Sequence, residues 1–272
     1  MAKQKSIFKI KGVVDGQSFF YSKLGGYQVR KINPNMSDRV KTEPAFANTR
    51  LAAQEFKGAA STASAIVRGV TSRWRFFSTP KLVGDLTKFL IAQNPIDPSH
   101  PWGQRTLTQN VMANVQNYYN ARQKVQMPSF IQDYFDRKVT YISNTQNLSL
   151  STALTMSIDD QVQLALKGAT HLRVEIWAYE VVFSHYDTVL KQWIPALSRL
   201  SSLRPASSTL TLRNDEDLII FPAMTPAIEF NPTNQADRMS GVLVTYLPLK
   251  RVEGAYYTLQ RLCSVYWKSV QV

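Results

Sequence analysis

The chain has 272 residues, 44% of them apolar, enough for one large domain or two ordinary ones with a real core. Its 32 Lys and Arg against 19 Asp and Glu leave +13 at pH 7, a balance that attracts phosphate polyanions, acidic protein surfaces or anionic lipid. The single cysteine, Cys263, excludes an internal disulfide and a thiolate metal cluster, and apolar runs of only a few residues exclude a transmembrane segment.

The positive excess lies in the first half. Residues 1–80 hold 14 Lys/Arg and 4 Asp/Glu, residues 81–140 hold 7 and 4, and residues 141–272 hold 11 of each. The two halves are therefore expected to face different partners. The start MAKQKSIFKIKG is basic, and Lys9 and Lys11 interrupt any hydrophobic region, so no secretory signal is read there. With the lone cysteine this points to a reducing compartment, cytoplasmic or within an assembled particle, or to export without a cleavable leader.

In chain order, Ile7, Phe8 and Ile10 lead as strand to Val13 and Val14, Asp15-Gly16 is a hairpin turn signal, and Phe19 to Tyr21 form the return strand. A Gly25-Gly26 turn leads to Tyr27 and Val29, which alternate with Gln28 and Arg30. So small a meander cannot bury enough surface alone. Lys31 to Thr42 reads as a polar, basic loop punctuated by Pro34. Thr42 is placed to cap the next helix, with Glu43 and Pro44 in its first turn. That helix carries an apolar face from Leu51 and Phe56 through Ala59, Ala60, Ala63, Ile66, Val67 and Val70 to Trp74 and Phe77. Arg50, Lys57, Ser61, Ser64, Arg68, Thr71 and Arg75 form an opposite stripe, whose four cations span about 37 Å at ~1.5 Å rise per residue. The small run Gly58-Ala59-Ala60-Ser61 would allow close helix–helix approach.

A second helix opens at Ser78, Thr79 and Pro80 and ends at Asn94 and Pro95, and residues 96–103 form a proline-rich connector. A third runs from about Thr108 to Val125, and a short aromatic helix covers Phe130 to Phe135. From about Lys138 the period becomes two: Leu148/Leu150, Leu154/Met156/Ile158, Val162/Leu164/Leu166, Leu172/Val174/Ile176, Val181/Phe183, Leu210/Leu212, Leu218/Ile220, Ile228/Phe230, Val242/Val244/Tyr246 and Ala255/Tyr257/Leu259 alternate. Trp193 to Leu203 reads as a short helical insertion. The expected fold is α+β: a basic β-meander with helices over residues 1–137, then an antiparallel β-sandwich over residues 138–272.

At GGYQVRK (Gly25–Lys31), EPAFANTR (Glu43–Arg50) with Glu55-Phe56 after it, and KGATH (Lys167–His171), the chain resembles an uncharacterised group of bacterial proteins common in Bacteroidetes. Those proteins open with a strand ending in Gly-Tyr-x-x-Arg, followed by a Pro-Ala-Phe-x-x-Thr-Arg helix start. Later they carry a Gly-x-Arg element, here Gly103-Gln104-Arg105, and a Gly-Ala-Thr-His strand start. Glu43 stands where Asp is common. The resemblance covers nearly the whole chain and implies a bacterial source and the two-part division, with no assigned activity.

Residues that name a reaction are missing from the pattern. His100, His171 and His185 have no ligand spacing, and His171 reads as a strand-start residue bonding backbone. Asp159-Asp160 and Asp215-Glu216-Asp217 read as turns at strand boundaries, without a spaced oxygen-ligand loop. Neither GxSxG nor a glycine-rich phosphate loop occurs, and Cys263 reads as a small core residue. No catalytic, cofactor or metal residue is therefore expected. The candidate surface for an anionic partner is Lys31, Arg39, Lys41, Arg50, Lys57, Arg68 and Arg75, and the candidate assembly residues are Tyr27, Gly58, Ala59 and Ala60. Tyr27, Trp74 and Phe76 are aromatics able to stack on bases or to sit in a core. The ordinary alternative for the stripe is a solvated helix face.

Three functions follow as expectations. The first is a non-enzymatic building block of a homo-oligomeric particle or filament, its cationic surface meeting nucleic acid or an acidic protein face. The second is a sequence-nonspecific nucleic-acid-binding protein. The third is a hydrolase or lectin-like sandwich with a loop site near His171, His185 and Asp215.

Overall fold

The computed structural model of the chain describes residues 2–5, 8–71, 81–93, 97, 99–107, 112–123, 125–142, 147–150, 154–200, 206–212, 218–221 and 238–269. The fold is α+β, with an N-terminal sheet, helices and a C-terminal antiparallel sheet. It divides into two compact units, Met1–Ala53 and Gln54–Val272.

In the first unit, β1 (Ala2–Lys3), β2 (Gly12–Val14), β3 (Gln17–Ser22) and β4 (Gly26–Lys31) form an antiparallel sheet in the order β1-β4-β3-β2. Asp15 and Gly16 turn β2 into β3 with φ of 46° and 71°, the paired positive values of a tight hairpin. Phe8 to Ile10, expected as strand, lie outside the sheet. The Gln4 side chain occupies both backbone groups of Ile10: its Nε2 donates to the carbonyl at 3.2 Å and its Oε1 accepts from the amide at 3.1 Å.

The basic stretch after β4, expected as a loop, contains the helix α1 (Met36–Thr42). The Asn33 side chain accepts from the Asn35 amide at 3.1 Å ahead of it. Asp38 in the first turn and Arg39 and Lys41 in the last match the helix dipole. Thr42 does not cap the following helix. It closes α1, its hydroxyl donating to the Asp38 carbonyl at 2.8 Å. Pro44–Phe46 then form a 3-10 turn before α2 (Ala47–Thr71).

The second unit contains α2 from Gln54 onward, α3 (Leu82–Gln93), α4 (Met112–Ala121), α5 (Ser129–Lys138), β5 (Val139–Ile142), β6 (Asn147–Leu150), β7 (Leu154–Ser157) and α6 (Ile158–Leu166). It continues with β8 (His171–Val182), β9 (His185–Asp187), β10 (Gln192–Ile194), β11 (Leu197–Leu200), β12 (Ala206–Thr211), β13 (Leu218–Phe221), β14 (Arg238–Val252), β15 (Ala255–Thr258) and β16 (Ser264–Ser269). The long strands β8 and β14 pair along their length, with β11 and β12 on the far edge of β8 and β15 and β16 on the far edge of β14.

Both faces of this sheet are buried along Ile176–Tyr179 of β8 and Val242–Leu249 of β14, where consecutive rather than alternating positions are covered. Trp177, Tyr179 and Val181 of β8, Leu243 of β14 and Trp267 of β16 pack on Ala59, Ala63, Ile66 and Val70 of α2, on Leu86 and Leu90 of α3, and on Tyr119 of α4. Val174, Ile176, Val244 and Tyr266 turn the other way, toward Met127, Ile131 of α5, Met156 of β7 and Leu164 of α6. The layers against the sheet are therefore largely helical. The same packing moves the expected boundary from residue 137 to 53/54, because the apolar face of α2 is core of the C-terminal sheet. Phe56, expected on that face, is exposed.

Two further expectations change. Val162, Leu164 and Leu166 lie in α6, not in a strand. Ser157 caps it, its hydroxyl accepting from the Asp160 amide at 3.3 Å, and Asp159 and Asp160 occupy its first turn. Gly168, at φ 87°, closes it with the Ala169 amide donating to the Leu164 carbonyl at 3.1 Å. Over its described part, the expected helical insertion at Trp193 to Leu203 is instead β10 and β11, joined through Pro195 and Ala196, and residues 201–203 lie outside the described residues. Trp74, Phe76, Phe77, Ile228 and Phe230 lie outside the described residues.

Glycine sets how closely α2 approaches the sheet. A Cβ on Gly58 would lie 2.5 Å from a Trp193 ring carbon, and one on Gly69 would lie 2.5 Å from Tyr179, whose hydroxyl donates to the Ile66 carbonyl at 2.7 Å. Gly69→Ala is expected to lose about 1–2 kcal/mol, because overpacking a buried ring outweighs the helix propensity gained. A urea melt of the variant matching that of the parent would mean that Tyr179 moves aside at no cost. Asn120 of α4 covers the outer edge of β16 in strand fashion, donating to the Trp267 carbonyl at 2.8 Å and accepting from its amide at 2.9 Å.

Candidate anionic-partner surface

The pairing register sorts the side chains of the N-terminal sheet. Phe19 stands opposite Val29, Tyr21 opposite Tyr27 and Gln17 opposite Lys31 on one face, while Phe20, Gln28 and Arg30 share the other. Tyr21 and Tyr27 meet edge-on at 5.1 Å, and the Lys11 ammonium lies 5.8 Å from each ring. No described residue of Met1–Ala53 is buried. Strands of two to six residues leave no room for a core.

Strand direction groups the charges. Because β1 and β3 run one way and β2 and β4 the other, the β1–β2 connection (residues 4–11) and the β3–β4 turn (residues 23–25) lie at the same end of the sheet. That end carries Lys5, Lys9, Lys11 and Lys23 and no acidic residue. It also carries Phe8, 81% exposed, and Leu24, 102% exposed, with Ile10 exposed beside them. Lys9 donates to the Gln4 carbonyl at 2.8 Å, so its stem is held along the connection. The acids of this unit are elsewhere: Asp15 is in the turn at the opposite end, and Asp38 and Glu43 follow β4.

The residues expected from sequence to form the surface fare differently. Lys31 is exposed at the end of β4. Arg39 is committed to Glu43 through bonds of 2.6 and 3.1 Å, and Lys41 lies 3.8 Å from Asp38. Arg50 is committed to the backbone, donating to the Val40 and Glu43 carbonyls at 2.9 Å each. Lys57 and Arg68 are exposed on α2, but Ser61 of the same stripe accepts from the Ala196 amide at 3.0 Å. Arg75 lies outside the described residues. Of the assembly candidates, Tyr27 is on the N-terminal sheet, while Gly58 and Ala59 are buried under the chain's own sheet and Ala60 is half-buried. Their close approach is made to a strand aromatic of the same chain, not to another helix. Lys11, Tyr21 and Leu24 were missed, although the β2-β3-β4 meander already brings the start of β2 and the β3–β4 turn to one end; the pairing of β1 with β4 adds Lys5 there.

No protein-family model matches the chain, and no curated protein or solved structure matches it either.

The residues of the loop-site reading are placed only in part. His171 and His185 flank β8, whose ends are about 36 Å apart at ~3.3 Å per residue, and Asp215 lies outside the described residues. His171 is buried, bonds the Thr170 hydroxyl at 2.9 Å rather than backbone, and meets Tyr256 edge-on. Burial, and then the Arg251 charge, lower its pKa. Cys263 is core, its thiol pushed up to about 12 by burial. Among the described residues no group of three or more His, Cys, Asp and Glu is placed to hold a metal ion. No described helix is long and apolar enough to cross a membrane.

Two buried carboxylates of the second unit organise its connector. Glu55 of α2 accepts from the Gly103 amide at 2.8 Å and from Arg105 Nε and Nη2 at 2.7 and 2.8 Å. Asp97 accepts from the Ser99 amide and hydroxyl at 2.9 and 2.5 Å, from His100 at 2.8 Å, and from the Thr106 amide at 2.9 Å. Burial alone would raise the Asp97 carboxyl, yet the bonds from Ser99, Thr106 and His100 hold it well below the usual carboxylate range. Carboxylates so saturated with donors fasten a loop and are poor bases.

Proposed function

We propose that this chain is a non-enzymatic structural and docking protein. Gln54–Val272 is its packed body, and Met1–Ala53 is a cationic unit through which the body is held to an anionic partner. The observation that carries this reading is the acid-free end of the N-terminal sheet, where four lysines surround exposed apolar side chains. Charge disfavours a face of another copy as this partner: Met1–Ala53 holds 10 Lys/Arg and 3 Asp/Glu and Gln54–Val272 holds 22 and 16, so both units are net positive.

Retention on a phosphate-bearing cation-exchange resin tests this. Replacing Lys5, Lys9, Lys11 and Lys23 by glutamine is expected to lower the dependence of binding on log salt by about one per lost contact. Replacing Lys57 and Arg68 by glutamine is expected to change it less. Equal elution of both variants with the parent would remove the N-terminal unit from the function. A homo-oligomeric building block is the second reading, favoured by the exposed Phe8, Val13 and Leu24 of a unit without buried residues. Light scattering behind a sizing column at high salt separates it, since a large particle persisting there makes self-association the function.

A further inference from the structure

We infer that the anionic partner is a lipid surface, which the acid-free end of the N-terminal sheet meets with Phe8 and Leu24 inserted and its lysines at the headgroups; this rests on the docking function proposed above. The chemistry of the end separates three occupants. A second copy is disfavoured by charge, as both units are positive. A nucleic acid strand would use Lys11, the Tyr21–Tyr27 pair and a base stacked on Phe8, but it offers nothing to bury the aliphatic Leu24 at 102% exposure. Nucleic acid therefore accounts for the lysines and the rings and leaves the aliphatic tip exposed.

A bilayer of anionic lipid accounts for both. Each connection alternates cation and hydrocarbon: Phe8, Lys9, Ile10 and Lys11 in one, Lys23 and Leu24 in the other. Lysine stems reach headgroups while the neighbouring apolar side chain enters the acyl boundary. Tyr21 and Tyr27, amphipathic rings near the same end, suit the interface level. Because the two connections sit side by side by virtue of the β1-β4-β3-β2 order, both tips reach one plane together. Each lysine near an anionic surface strengthens binding roughly 5-fold, and burying one Leu or Phe strengthens it roughly 10- to 100-fold.

Sedimentation of the full chain with vesicles of about one-third phosphatidylglycerol in phosphatidylcholine tests the inference against pure phosphatidylcholine vesicles. Binding is expected to the anionic vesicles only. Leu24→Ser and Phe8→Ser are each expected to weaken it about 10-fold or more, with thermal melting unchanged for Leu24→Ser, whose side chain is fully exposed. Vesicle binding that ignores both substitutions would overturn insertion while leaving a cationic docking unit. Failure to bind vesicles together with salt-sensitive binding of a single-stranded oligonucleotide would overturn the lipid surface and keep the docking function. Failure with vesicles, oligonucleotide and resin alike would remove both.

Discussion

Glu55→Ala is expected to destabilise the Gln54–Val272 unit by about 3–5 kcal/mol, the range for removing one partner of a buried ion pair. The carboxylate is 5% exposed and takes both nitrogens of an Arg105 fork, while also accepting from the Gly103 amide. Removing it leaves a guanidinium and a buried backbone donor without their acceptor, and the desolvation cost of those groups is no longer offset. Trp193 Nε1 donates to the Gly103 carbonyl at 3.3 Å, so the loss extends to the ring that covers Gly58. Removing Arg105 as well is expected to cost little more than Glu55→Ala alone, since the pair acts as one. All five tryptophans lie beyond residue 53, so their fluorescence during urea unfolding reads this unit by itself. A loss under about 1 kcal/mol would mean that water replaces the carboxylate in full.

Asp97→Asn is expected to cost about 2–4 kcal/mol at neutral pH, and to flatten the acid limb of stability. The sign follows from the direction of the shift. The folded carboxyl titrates below its unfolded value of about 3.9, so its contribution is fully present above that value and is lost as pH falls through and below it. The parent should therefore lose stability more steeply than the variant between about pH 5 and pH 2. Parallel acid limbs for the two proteins would show that Asp97 does not carry this linkage. The side chain bonds Ser99 and His100 within the connector and Thr106 just beyond it. The asparagine amide keeps an acceptor but turns a donor toward the Thr106 amide.

Local chemistry was legible where it acts locally. The Asp15-Gly16 turn and the apolar face of α2 from Ala59 to Val70 appear in the structure as read, and Leu172/Val174/Ile176 and Val242/Val244/Tyr246 share one face of the sheet, while the positions between Val242, Val244 and Tyr246 are buried as well. At α6 local signals were present and were outweighed. Ser157 with Asp160, and Gly168 beyond, are helix-end signals, but three alternating apolar residues between them imitate a strand. Leu166, one of those three, is in fact exposed, so the alternation matched neither face of the helix.

By itself the sequence determined the α+β class, the concentration of positive charge toward the N-terminus and the lack of a catalytic motif, because each depends on composition or on neighbours a few residues apart. Only the tertiary structure decided where the charge is usable. Arg39 and Arg50 are spent on Glu43 and on backbone carbonyls, while the antiparallel strand order gathers Lys5, Lys11 and Lys23 at one end, with Lys9 bonded to the Gln4 carbonyl beside them. Glu55 likewise meets Arg105 across 50 residues. Such partners are set by strand order and helix docking, which bring distant positions together without leaving a period in the chain.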